Sequence, residues 1–137
     1  MTIAIINGPN LNLLGQRETE IYGSGDFETY YSILKDKYPQ ITFHYFQSNI
    51  EGELINALHQ FGFEYDGIIL NAAAYTHTSI GLADAVKAIK TPVIEVHLSN
   101  TLSRETFRHI SYIAANAKGV IMGFGLKSYE LALIALM

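Results

Sequence analysis

Apolar and polar positions fall into blocks along this chain, and the blocks follow a repeating strand–helix order. Thr2 to Ile6 is a short apolar run, the pattern of a strand buried on both faces. Asp26 to Tyr38 reads as a helix closed by Pro39, and Ile41 to Phe46 as a second strand. Ser48 and Glu51 have capping-box spacing, ahead of a helix that carries Ile50, Leu54, Leu58 and Phe61 on one face. Gly67 to Leu70 is a third strand, wholly apolar after the glycine. Ser79 to Ile89 is a helix stopped by Thr91 and Pro92, and Val93 to Val96 a fourth strand. Arg104 to Ala117 is expected to be helical, Gly119 to Met122 a fifth strand, and Ser128 to Met137 a final apolar helix.

Five short buried strands with helical crossovers imply an α/β fold, a parallel sheet covered on both sides. Right-handed crossovers restrict the topology, and a flavodoxin-like three-layer sandwich with strand order 2-1-3-4-5 is the natural result. No linker, repeat or low-complexity stretch interrupts the pattern, so residues 1–137 read as a single domain. Ligands in such folds bind beyond the carboxyl ends of the strands, near the switch in strand order. The segments to inspect therefore follow Ile6, Leu70 and Val96.

Each of those segments is unusually polar. The first runs from Asn7 through Asn12 to Arg17, and on to Tyr22 and Gly23. It is long for an α/β connection, as lids often are. Its glycines fit neither a phosphate loop nor a dinucleotide fingerprint. A turn-rich connection is the plainer alternative. The second runs from Asn71 to Ser79. Its Thr and Ser residues suit helix capping, but Asn71 and His77 are not needed as caps. The third is Glu95-Val96-His97-Leu98-Ser99-Asn100. Glu95 and His97 are two apart in a strand, so their side chains leave the same face. A carboxylate beside an imidazole orients the ring and favours its protonated form, a good design for a general acid. A structural Glu–His pair is the alternative. His44, His59 and His109 read as ordinary. No third ligand joins His77 and His97 at a recognisable spacing, so no metal is expected. Gly123-Phe124-Gly125 reads as close packing or a turn.

Composition narrows the chemistry. Cysteine is absent, which removes thiolate ligands, a cysteine nucleophile and a disulfide scaffold. The net charge of −4 gives no general attraction for nucleic acid. An anionic ligand would need local positive charge, and the three arginines, Arg17, Arg104 and Arg108, fall in two loop-like segments. The first residues lack a secretory signal pattern and no apolar run is long enough to span a bilayer, so a cytoplasmic location with no membrane partner is expected.

Together these segments resemble the type II 3-dehydroquinate dehydratases. The resemblance includes Gly8-Pro9-Asn10-Leu11-Asn12, Leu14-Gly15, Arg17-Glu18, Tyr22-Gly23, Gln47-Ser48-Asn49 and Glu51-Gly52. It continues through Asp66 to Asn71, Thr76 to Ser79, Glu95 to Asn100, Arg104-Glu105, Phe107-Arg108-His109 and Ser111. It implies Tyr22 as a phenolate base, with Arg17 beside it on a mobile loop supplying positive charge. It implies His97 as the acid, Glu95 as its partner, and Asn12 as the holder of a water against an enolate. Asn71, His77 and Arg108 would bind the substrate, and Leu98 and Ser99 its carboxylate. Asp84 would reach a neighbouring subunit's site in a homododecamer built as a tetramer of trimers. The sequence departs from the common pattern at Thr19, where proline is frequent, and at Ala72-Ala73, where Pro-Gly is frequent. Ala83 stands where arginine is common.

The implied reaction removes a proton beside a ketone and expels hydroxide as water, giving 3-dehydroshikimate from 3-dehydroquinate. An ordinary tyrosine, with a pKa of about 10, is scarcely ionised at neutral pH, so a cation beside it matters. An enolate needs preorganised donors, and a hydroxide leaving group needs an acid. No cofactor is required. The competing readings are a non-catalytic flavodoxin-like module and an inactive family scaffold. Against the first stands the lack of a hydroxyl-rich flavin phosphate loop and of an acidic cluster after the first strand. Against the second stand the intact Tyr22, Arg17 and His97.

Overall fold

A computed structural model describes residues 1–16, 18–22 and 25–137. Five parallel strands form one sheet in the order β2-β1-β3-β4-β5: β1 Thr2–Asn7, β2 Thr42–Gln47, β3 Gly67–Asn71, β4 Val93–His97 and β5 Gly119–Met122. This is the expected order, and the strand boundaries agree with the sequence pattern to within one residue. β1, β3 and β4 are buried at every position except Thr2, which explains their continuous apolar runs.

Alternation along the strands divides the core in two. Ile3, Ile5, Ile69, Ile94 and Val96 pack with Phe27, Leu34, Tyr129 and Leu133 on one face. Those partners come from helices α2 (Phe27–Lys37) and α5 (Lys127–Leu136). Ala4, Ile6, Ile68 and Leu70 pack on the other face with Leu54, Leu58, Leu82 and Val86. These belong to α3 (Glu51–Phe61) and α4 (Ile80–Ala88). A four-residue helix, α1 (Thr19–Tyr22), lies in the connection after β1.

Two local expectations fail. The Arg104–Ala117 stretch is not a helix. It holds two short 3-10 turns, Thr106–Arg108 and Ala114–Asn116, after a third at Thr101–Ser103. Its polar side chains satisfy backbone groups that a helix would need. The Ser111 hydroxyl accepts from the Ile113 and Ala114 amides at 3.2 and 3.1 Å, and a ring nitrogen of His109 bonds the Arg104 carbonyl at 3.0 Å. Ile113, fully buried against the α3–α4 face, pins the segment.

Nor do Ser48 and Glu51 form a capping box. α3 begins at Glu51 after Ile50, which is 59% exposed rather than on the buried face with Leu54, Leu58 and Phe61. Ser48 Oγ accepts from the Ile50 amide and donates to Glu53 Oε2 at 2.8 Å. Glu51 Oε1 instead accepts from Ser79 Oγ, the residue that caps α4 through the Leu82 amide.

Candidate active site

The strand register sets Asn7, Gln47 and Asn71 side by side at the carboxyl ends of β1, β2 and β3. Gly8 then crosses close to the next strand's exit. A Cβ there would lie 2.6 Å from the Ala72 carbonyl oxygen, so the two connections can approach only because position 8 lacks a side chain. Beside this crossing lies a cavity of about 110 Å³. Tyr22, Asn71, His77, His97, Leu98, Ser99 and Arg108 line it. Three connections widely separated in sequence thus converge where the strand order reverses.

Glu95 and His97 leave β4 on the same face, as their spacing requires. His97 Nε2 lies 3.1 Å from Glu95 Oε1, with both residues buried. Burial pushes the Glu95 carboxyl up, but it is outweighed by the His97 bond and charge and by bonds from the Ser111 and Thr76 hydroxyls. The carboxyl ends below its usual range. His77 stacks nearly parallel to His97, with ring centroids 6.3 Å apart. Its Nδ1 lies 2.7 Å from the Ile110 carbonyl, to which it can only donate. Burial is the main cause that lowers the His77 pKa, and the positive charges near it add to the effect.

Asn71 is fixed from below. Its Nδ2 donates to the Tyr129 hydroxyl at 3.0 Å, and its Oδ1 accepts from the Ala73 amide at 3.1 Å. Tyr129, fully buried, donates in turn to Asn7 Oδ1 at 2.8 Å. Ser99 Oγ accepts from Arg104 Nη1 at 3.3 Å, while Arg108 Nε donates to Glu105 Oε2 at 2.7 Å.

Tyr22 is half-buried at the end of α1, packed on the core. The Arg104 guanidinium lies over its ring, 5.1 Å from the centroid. Arg104 lines the cavity but was not among the site residues drawn from the sequence. Its rarity as one of three arginines was the available signal. Thr76 and Ser111, the hydroxyls on Glu95, carry no role in the sequence reading. The family resemblance includes their positions, but their contact with Glu95 spans three separate segments that local spacing does not join.

One expected residue stands apart from the cavity. Asn12 is exposed on the outer side of the first connection, 3.5 Å from Gln47 Nε2. It lines a separate groove with Gln47, because Leu11 and Leu14 take the inward positions. Asp84, expected at a neighbouring copy's site, is exposed on α4 and does not line this cavity. Arg17 lies outside the described residues. Among the described residues no group of three His, Asp or Glu side chains is arranged to hold a metal ion, and no helix is long and apolar enough to cross a membrane.

A family model for class II dehydroquinases matches residues 1–137. The 3-dehydroquinate dehydratase of Exiguobacterium sp. is 54% identical over 137 residues, covering 99% of this chain and 94% of the relative. That of Clostridium perfringens is 52% identical, covering 99% and 96%. The crystal structure of type II dehydroquinase from Butyrivibrio crossotus superposes with a TM-score of 0.95 at 42% identity, covering 99% of this chain and 97% of that one. The likeness in sequence and fold extends over the whole length, through all three strand-end connections, and the chain belongs to the class II dehydroquinase family.

Proposed function

We infer that this protein is a 3-dehydroquinate dehydratase, a hydro-lyase of the shikimate pathway that yields 3-dehydroshikimate and water. The observation that carries the reading is the shared cavity: Tyr22 from the first connection and His97 from the sheet line the same space, with Glu95 bonded to His97 beneath it. A small ring bound there would meet a base and an acid from two sides. Arg104 and Arg108, which also line it, supply the positive charge an anionic substrate needs.

In this reading the Tyr22 phenolate takes the proton beside the ketone. The electrons of that C–H bond become an enolate. The carbon–oxygen bond then breaks, and His97 gives its proton to the departing hydroxyl, which leaves as water. Return of one proton from Tyr22 to His97 through solvent resets the site. Asn71, His77 and Arg108 hold the ring's polar groups, and the Leu98–Ser99 segment takes the carboxylate. Arg17 contributes charge beside Tyr22, and Asn12 holds a water if the first connection turns it inward on binding. The whole chain acts as one catalytic domain in the cytoplasm. It assembles as a tetramer of trimers, in which Asp84 meets a neighbouring copy's site. The exposure of Asp84 on α4, and of the apolar Phe107 and Ile110 in the connection after β4, supports an assembly of copies.

The test is to mix metal-stripped, cofactor-free protein with 3-dehydroquinate and follow the ultraviolet absorbance of the conjugated enone. Absorbance should rise in the wild type and stay near background in Tyr22→Phe, whose circular dichroism should be unchanged. No rise in the wild type rejects the activity. Wild-type turnover in Tyr22→Phe removes that residue from the base role.

A further inference from the structure

A carboxylate and an imidazole in a buried pair share a choice. The proton can stay on the ring, leaving two charges, or move to the carboxyl, leaving none. Burial favours the second arrangement, because isolating a charge from water is costly. Glu95 is 0% exposed, and its Oε2 has no hydrogen-bond partner among the described residues. On burial alone the proton would sit on Glu95, and His97 would be a neutral ring with nothing to give.

Three donors instead converge on the other oxygen. Oε1 accepts from His97 Nε2 at 3.1 Å, from Ser111 Oγ at 2.6 Å and from Thr76 Oγ1. The Ser111 hydroxyl has a single proton, and its oxygen already accepts from the Ile113 and Ala114 amides. That proton is therefore committed to the carboxylate or to Thr76 Oγ1, which lies 2.7 Å away and itself donates to Glu95. Neither hydroxyl titrates near neutral pH, so both persist whichever way the pair is charged. Their segments are tied together as well. The Tyr112 amide donates to the Thr76 carbonyl at 2.9 Å, and His77 Nδ1 donates to the Ile110 carbonyl.

We propose that Thr76 and Ser111 are positioning residues that keep Glu95 charged and thereby hold the transferable proton on His97. The inference rests on the reading of His97 as the acid of the dehydration. Among the described residues, the other titratable or charged groups facing the pair are His77 from the turn after β3, Arg104 and Arg108 from the connection after β4, and Tyr22 from α1. None of these donates to Glu95 Oε1, so the hydroxyls' contribution is separable from theirs.

Thr76→Val keeps the shape of the side chain and removes its hydroxyl, Thr76→Ser restores the hydroxyl, and Ser111→Ala tests the second donor. Two measurements are made on full-length protein. The first is carbon NMR titration of the Glu95 carboxyl, which does not depend on activity. In Thr76→Val it should move up by about one unit, the change expected for losing one bond to a charged acceptor, and Thr76→Ser should stay near wild type. The second is the pH profile of kcat. Its alkaline limb should move to lower pH with KM little changed, and kcat should fall by about tenfold or more. An unmoved Glu95 titration in folded Thr76→Val and Ser111→Ala overturns the proposal, as does a loss of activity without that movement. If Ser111→Ala does not fold, Thr76→Val against Thr76→Ser decides. Should wild-type protein fail to dehydrate 3-dehydroquinate, the activity reading falls, whereas the carboxyl titration still decides whether the hydroxyls hold the charge.

Discussion

Ala73 shows how one residue can carry strain beside a site. Its φ of 51° lies in the left-handed region, where a Cβ costs about 1–2 kcal/mol. The Asn71 side chain accepts from its amide and holds the turn. Glycine at this position should therefore stabilise the fold by about 1 kcal/mol, read as a higher urea midpoint at unchanged slope. A midpoint that stays or falls would mean the turn is relaxed with alanine. His97 and Glu95 illustrate the opposite case. Their two-residue spacing was enough to place them on one face, and they meet there. Arg104 was visible only as a rare residue; its place over Tyr22 depends on how the connection after β4 folds back.

At the scale of elements, the helices on the α3–α4 face are joined at their N-termini. Ser79 caps α4 through the Leu82 amide at 2.9 Å and donates to Glu51 Oε1 at 2.5 Å. Ser79→Ala should cost about 1–2 kcal/mol, more than Glu51→Ala, because it removes both the cap and the tie. Equal losses in denaturant melts of the two variants would show that the cap itself contributes little. The sequence placed a cap signal near Ser48 but assigned it the wrong partner. Capping-box spacing specifies only that two side chains can reach each other along one chain, and here Ser79 from another element reaches Glu51 first. The missing helix before β5 has a related cause. Ser111 and His109 side chains in that stretch bond the local backbone, and Tyr112 is tied to Thr76 rather than to its own turn.

For the whole molecule, the buried site makes stability depend on acid. His77 in the folded chain has a pKa below its ordinary 6.5, chiefly through burial, so the unfolded chain binds its proton more readily. Stability from this residue is present above 6.5 and is lost as pH falls through that value. Glu95 is held below its ordinary 4.5 against the opposing effect of burial. Its contribution is present above 4.5 and is lost as pH falls further. Acid should therefore weaken the fold in two stages. His77→Gln should flatten the first while leaving the second in place, measured as urea midpoints against pH. A first stage that persists in this variant would assign it to other groups.

The apolar runs by themselves determined the strands, their order and the end of the sheet where a ligand fits, because a doubly covered parallel sheet leaves few ways to connect buried strands. They also carried the Glu95–His97 pair, since alternation along a strand is fixed by backbone geometry. Tertiary structure alone decided which groups reach Glu95, that Arg104 covers Tyr22, and that Asn12 faces a different groove from the cavity. Those outcomes depend on contacts between segments far apart in the chain. Local periodicity and spacing carry no record of such distances.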